Sequence, residues 1–317
     1  MTILFGTTIL PIFFGENNFW PLLIFMVLSA VPVILSYILL VRRDLGAGFF
    51  TQHEGSDNGS PCYNSLIALV WKQQKDSILV WAMGMAWLGG TMGVAAPNIS
   101  EAMSSTFGHM NALWASAIVK LGNQEAFIAI LIYMLGLMGG LSIFAITAVQ
   151  CLWREEKDHY TEMVLSRPVS RVKWMGSHMA VAFAGSVFIL FSLGTATGLG
   201  WSIVSGEFSH FPRVLAMSIS KTPSVWTIIG IAGLLYGWLP RIGSILNWLI
   251  LGAWIFTEML WEVGIVGWST MLWTPFAYAH YIFPIHELPI VPLLMLIVFA
   301  AAFTWLGIIG FKHRSIG

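Results

Sequence analysis

The chain has 317 residues, 57% of them hydrophobic and 9% charged, with a formal net charge of zero and a mean hydropathy of +0.79. A soluble domain of this length needs no such apolar excess, so the composition excludes an ordinary soluble enzyme and indicates an integral membrane protein. Zero net charge also leaves no global basic field to attract nucleic acid.

In chain order, the opening MTILFGTTILPIFFG is apolar but short, carries Pro11 and lacks a basic leader, and it reads as an interfacial or re-entrant piece. Crossing about 30 Å of hydrocarbon takes roughly 20 helical residues. Apolar runs of that order occur at Trp20–Val41, Ser77–Ala95, Phe127–Leu152, Met175–Val204, Pro223–Leu239, Gly243–Trp261 and Pro289–Phe311. They are continuously apolar rather than alternating, which selects helices over a barrel. The expected fold is therefore an all-α polytopic membrane bundle of about seven transmembrane helices. Residues 1–46 form an N-terminal hydrophobic segment with one span, 47–63 a polar linker rich in Gly and Ser, and 64–317 a six-helix unit. Within that unit, 64–76 places apolar residues ahead of Lys72 and Lys75, as an amphipathic helix in the headgroup region would; the same residues also serve as the first turns of the next span. Paired glycines four apart, at Gly89 and Gly93, Gly136 and Gly140, Gly194 and Gly198, and Gly233 and Gly237, suit close helix packing.

Of fifteen basic residues, all but Lys120, Arg213 and Lys221 fall on one side of this topology. The positive-inside rule makes that side cytoplasmic, with the N-terminus outside and the C-terminus inside a multi-pass plasma-membrane protein. Cys62 and Cys151 both map to it, where a disulfide is not expected, and two cysteines at that separation support no metal site. Trp20–Gly46 aligns with Val291–Gly317 at a constant offset, matching Pro21 with Pro292, Arg43 with Arg314 and Gly46 with Gly317. That register suggests duplication, with the first copy as the last helix of an earlier unit.

The segment 153–174 stands out between two spans, with nine charged residues from Arg154 to Trp174. Its acidic members Glu155, Glu156, Asp158 and Glu162 sit early, where they favour a helix start, and Arg167, Arg171 and Lys173 sit late. Met163, Val164 and Leu165 add an apolar patch that a merely solvated loop does not need, and an apolar patch ringed by charge suits a docking surface.

The run from Glu156 to Arg171, with Glu162, Leu165, Ser166, Pro168, Val169 and Ser170, then Trp174, Ser177 and His178, resembles the coupling segment of type-2 ABC exporter permeases. It is most similar to the polyketide-antibiotic exporter family. RRDLGAGF at Arg42–Phe49, LPRI at Leu239–Ile242 and WTPF at Trp273–Phe276 agree in order with that family. His159 departs from it, standing where the family usually has Gly. The resemblance implies an ATP-driven exporter of antibiotics, drugs or other amphipathic compounds, docked to a separate ABC ATPase through Glu155, Glu156, Asp158, Glu162, Met163, Leu165, Pro168 and Arg171. It also implies a first half that this chain largely lacks, so the chain is expected to need a second permease half, to pair with itself as a homodimer, or to be a truncated product, with membrane lipid as a further partner.

Glu258 is an acidic residue inside a span, and Glu262 follows one turn later at its outer boundary. Intramembrane carboxylates are costly and mark transport pathways or structural hydrogen bonds. With His280 they are the candidate pathway or outer gate, and the resemblance implies a pair of short re-entrant helices between Gly264 and Leu288. His280 and His286 with Glu262 and Glu287 have too irregular a spacing to predict a metal site. No phosphate-binding Gly-rich loop, H-E-x-x-H or G-x-S-x-G occurs, so no cofactor or catalytic residue is expected and ATP hydrolysis falls to a partner. The competing class is an ion-coupled secondary transporter working through Glu258 and Glu262.

Overall fold

The computed structural model describes residues 65–107, 122–166, 168–283 and 288–314, together with Met26, Val27, Ala30, Val31, Ile34 and Tyr37, which are helical. The rest of the predicted first span and of the first copy of the repeat, the linker, Cys62, RRDLGAGF, Arg167, His286 and Glu287 lie outside the described residues. The chain divides into two units, Met1–Gly59 and Ser60–Gly317.

Among its described residues the second unit is helical without strands, and six helices are long and apolar enough to cross a membrane. They cover the six predicted spans from Ser77 onward. The first, α1 (Leu66–Phe107), runs 42 residues, roughly 63 Å at 1.5 Å per residue. Residues 66–76 are part of it, with no break before the span. Val70, Gln74, Ile78, Ala82 and Met85 form one buried stripe at helical spacing that crosses the expected boundary.

The second span is the most deeply buried. It consists of α2 (Asn123–Leu131), a π-helical stretch (Ile132–Leu141) and α3 (Ser142–Lys157). The Ser142 hydroxyl donates to the Leu137 carbonyl, five residues back, at 2.7 Å. Such widened turns recur at functional sites because they re-aim side chains. Here the stretch carries Tyr133, fully buried.

After α3 come a tight turn, the short α4 (Tyr160–Leu165) and α5 (Arg171–Ser205), whose cap Ser170 accepts from the Lys173 amide. Then come α6 (His210–Ile219), α7 (Thr222–Trp238), α8 (Gly243–Glu262), α9 (Trp268–Met271), a 3-10 turn (Ala277–Ala279) and α10 (Ile290–His313). Glycines set the closest approaches. A Cβ on Gly93 of α1 would collide with the Thr197 carbonyl of α5, and one on Gly237 of α7 with the Gly307 backbone of α10. Without a hydrophobic drive between helices in lipid, such backbone proximity supplies the packing.

The alternation of spans puts residues 66–76, 153–171, 238–243 and 311–314 at one end of the bundle. That end carries α4; α9 and the 3-10 turn lie at the other.

Candidate functional site

At the α4 end, α3 outlasts the apolar run by a full turn. The Trp153 indole N–H donates to the Pro240 carbonyl at 2.8 Å, tying α3 to the LPRI turn. Glu155 and Glu156 therefore occupy the last turn of α3 instead of starting the docking helix. Neither faces outward. Glu155 is buried, with its carboxylate 3.3 Å from His178 Nε2, and Glu156 pairs with Arg314 near the end of α10. The outward residues are Asp158, Glu162 and Pro168, with Tyr160 and Met163, the latter 66% exposed. Val164 and Leu165 are half-buried and seat α4 on the core. Arg171 turns back onto α10, its guanidinium donating to the carbonyls of Phe311 and Arg314.

His159 is the turn itself. It has φ 60° and ψ 8°, the one positive φ at a non-glycine among the described residues. The position therefore has the left-handed backbone that favours glycine, and His159 bears the Cβ strain of about 1–2 kcal/mol. A groove of about 600 Å³ opens beside it, between Glu156, His159 and Glu162 on one wall and Pro240, Arg241 and Arg314 on the other.

At the far end, Glu258 is 1% exposed. Its Oε2 accepts from the Tyr133 hydroxyl at 2.8 Å, and its Oε1 lies 3.0 Å from His280 Nε2. The Ile282 amide donates to His280 Nδ1 at 3.2 Å. That backbone donor fixes Nδ1 as an acceptor, so Nε2 carries the proton and points it at Glu258. Burial holds the His280 imidazole below its ordinary value; the Glu258 carboxylate pulls the other way, and the Lys221 ammonium adds to the lowering. Trp261, Trp268 and Tyr133 surround the ring, with centroids 4.6–5.4 Å away.

Lys221 is itself 1% exposed, donates to the Ala279 carbonyl at 2.6 Å and lies 5.9 Å from the Tyr133 ring centre. Its place in the sequence puts it in an exposed outer loop. In the structure it is the cation inside the cluster, because α6 and α7 meet with almost no loop between them. Tyr281 donates to Glu262 at 2.7 Å, and Ser224 to the Pro275 carbonyl at 2.7 Å. The segment from Trp268 to Phe283, with its two short helices, is thereby pinned over the ends of α7 and α8.

The structure thus brings together the three outer candidates from the sequence, Glu258, Glu262 and His280. Tyr133, Lys221 and Tyr281 are not among those candidates. Tyr133 gives no signal in sequence beyond being a tyrosine in a span, and Lys221 is detectable only as a cation immediately before an apolar run. An apolar groove of about 440 Å³ runs alongside, between the π-helical stretch and α8, lined by Met134, Met138, Ile255 and Met259 and reaching both carboxylates.

Comparison with known proteins agrees with this architecture. The chain is 27% identical over 310 residues, 96% of its length, to the multidrug efflux system permease protein Rv1217c of Mycobacterium tuberculosis (strain ATCC 25618 / H37Rv). It spans about half the length of that relative, 55%. The family model for the C-terminal domain of multidrug efflux system permease Rv1217c matches residues 64–312, the whole six-helix unit but its last residues. This chain belongs to that family of exporter permeases.

Proposed function

We propose that the chain is a membrane-spanning permease subunit of an ATP-driven ABC exporter for antibiotics, drugs or other amphipathic compounds, and that a separate ATPase subunit docks on α4. The observation that carries the reading is α4 itself. It is a short helix held between the ends of two long spans, with Tyr160, Glu162 and Met163 outward and its rear face packed on the core. A push on such a helix has no slack before it tilts α3 and α5, since Trp153, Arg171 and the Glu156–Arg314 pair tie the same end to α7 and α10. The α4 end is then cytoplasmic, in the orientation that the basic residues favour. A second permease half, a separate chain or another copy, supplies the other docking site. The groove beside α8, with apolar walls and carboxylates at one edge, suits an amphipathic cargo.

Ion-coupled transport through Glu258 is not favoured. Both of its oxygens are engaged by buried donors, which disfavours proton exchange during a transport cycle.

The test is stimulation of the partner ATPase by reconstituted permease. Glu162→Lys and Met163→Asp should each reduce stimulation about tenfold or more while leaving membrane insertion and thermal stability unchanged, since truncating or reversing a central interface residue costs about 2 kcal/mol or more. Wild-type stimulation in both variants rules out docking on α4.

A further inference from the structure

Three side chains near α4 take no part in its docking face. Cys151 and Glu155 lie one turn apart on the same face of α3, and His178 faces them from α5. The thiol sulfur, a carboxylate oxygen and an imidazole nitrogen all lie within 4.8 Å of one another. His178 is 1% exposed and Glu155 8%.

Hydrogen-bond polarity makes this group unusual. His178 Nδ1 is 3.0 Å from the Trp174 carbonyl, which can only accept. Nδ1 therefore carries a proton, and Nε2 presents a lone pair whenever the ring is neutral. That lone pair faces Glu155, with both carboxylate oxygens 3.3 Å away. Acceptor confronts acceptor, and Glu155 Oε2 finds no donor. Beside them, Cys151 Sγ accepts from Gln74 Nε2 at 3.2 Å and, as a thiol, donates to the Ala148 carbonyl at 3.0 Å; metal binding would displace that thiol proton and keep the Gln74 bond. A buried carboxylate in this position needs a positive charge between it and the imidazole.

We propose that Cys151 Sγ, the Glu155 carboxylate and His178 Nε2 bind a single divalent transition-metal ion of the zinc class. The mixed sulfur, nitrogen and oxygen donor set suits such an ion. A tetrahedral centre with bonds of about 2.0–2.1 Å to nitrogen and oxygen sets those ligands roughly 3.3–3.4 Å apart, close to the separation found. Thiolate and carboxylate together neutralise a dication, so the buried site carries no net charge. The outer shell is in place: the Trp174 carbonyl holds the imidazole tautomer, Gln74 supports the sulfur, and the Trp174 ring covers His178 edge-on at 4.5 Å. Three protein ligands leave a fourth position for water.

The ion would clamp α3 to α5 on the two sides of α4, setting the spacing of the helices that carry it. Metal binding stands whether or not α4 docks an ATPase. The sequence predicts no metal site when its two cysteines are weighed against each other, whereas the ligands are a Cys–x3–Glu pair and a histidine beyond the intervening turn. The Glu258, Glu262 and His280 group is as compact, but there the imidazole proton already occupies the space between nitrogen and carboxylate.

The test uses the full chain in detergent, stripped with chelator and titrated with Co2+. A thiolate-to-cobalt charge-transfer band should grow to saturation at one equivalent per chain and disappear on adding Zn2+. It should persist in Cys62→Ser, vanish in Cys151→Ser, and need about tenfold or more higher Co2+ in His178→Gln. Independently, in the Cys62→Ser protein, Zn2+ should slow alkylation of Cys151 about tenfold or more, since a metal-bound thiolate is withheld from the reagent; this readout requires no change at the ligands. Absence of the band, a band that survives Cys151→Ser, or alkylation indifferent to Zn2+ would overturn the site and leave His178 and Glu155 as an imidazolium–carboxylate pair.

Discussion

Among the described residues two buried His–Glu pairs lie near opposite ends of the helical unit, and they are wired in opposite senses. His280 receives a backbone N–H at Nδ1 and so offers a proton to Glu258; His178 gives its Nδ1 proton to a backbone carbonyl and so offers Glu155 a lone pair. The same residue types at nearly the same separations, 3.0 and 3.3 Å, therefore produce different chemistry. The outer pair is complete, with Tyr133 supplying the second donor to Glu258. In the pair near α4 a neutral ring leaves two acceptors opposed, the place that the proposed ion fills. What decides between them is the second ring nitrogen, a detail of local backbone placement.

The largest effect should come from removing the acceptor at the complete pair. Glu258→Leu strands the Tyr133 hydroxyl and the His280 N–H, and should cost about 1–3 kcal/mol for each stranded donor, read as a large fall in thermal unfolding midpoint. Glu155→Leu in chelator-stripped protein removes one of two opposed acceptors and should cost much less. Equal losses would erase the distinction between the pairs.

Titration should separate them at intermediate size. Folded His280 has its pKa held below the unfolded value of about 6.5. Between those two values the unfolded chain binds the proton and the folded one does not, so stability rises with pH. The contribution is complete above about pH 6.5 and is lost as pH falls through the folded value. The unfolding midpoint should accordingly drop between about pH 7 and 5, with a shallower slope in His280→Gln; an unchanged slope would remove His280 as its source.

The smallest effect lies in the turn beside the incomplete pair. His159→Gly relieves the positive φ and should raise stability by about 1 kcal/mol while preserving ATPase stimulation. A loss of stability would mean that the His159–Glu162 contact at 3.4 Å outweighs the strain.

Much of the fold is legible in the linear chain. Six spans beginning at Ser77 are continuous apolar runs, and lipid admits such runs as helices whatever their neighbours. The charged island after Trp153 is equally plain, because nine of the thirty charged residues are concentrated in it. Its interior is not: Glu155 and Glu156 read as outward docking charges, yet each turns inward to a partner 23 and 158 residues away in sequence. At the outer site, Glu258 and Glu262 announce themselves as carboxylates one turn apart. Their donors come from a π-helical turn, Tyr133, and from the segment beyond α9, His280 and Tyr281, and no periodicity records that meeting.

By itself, then, the sequence determined which segments enter the membrane, where the exposed charged turn falls, and the glycine spacings that let helices close on one another. These depend on local solvation and local geometry, which each segment carries with it. Only the tertiary structure decided which buried charges meet and in which protonation state. That depends on hydrogen-bond partners brought from distant helices, and a single backbone carbonyl or amide on the far side of an imidazole was enough to reverse the outcome.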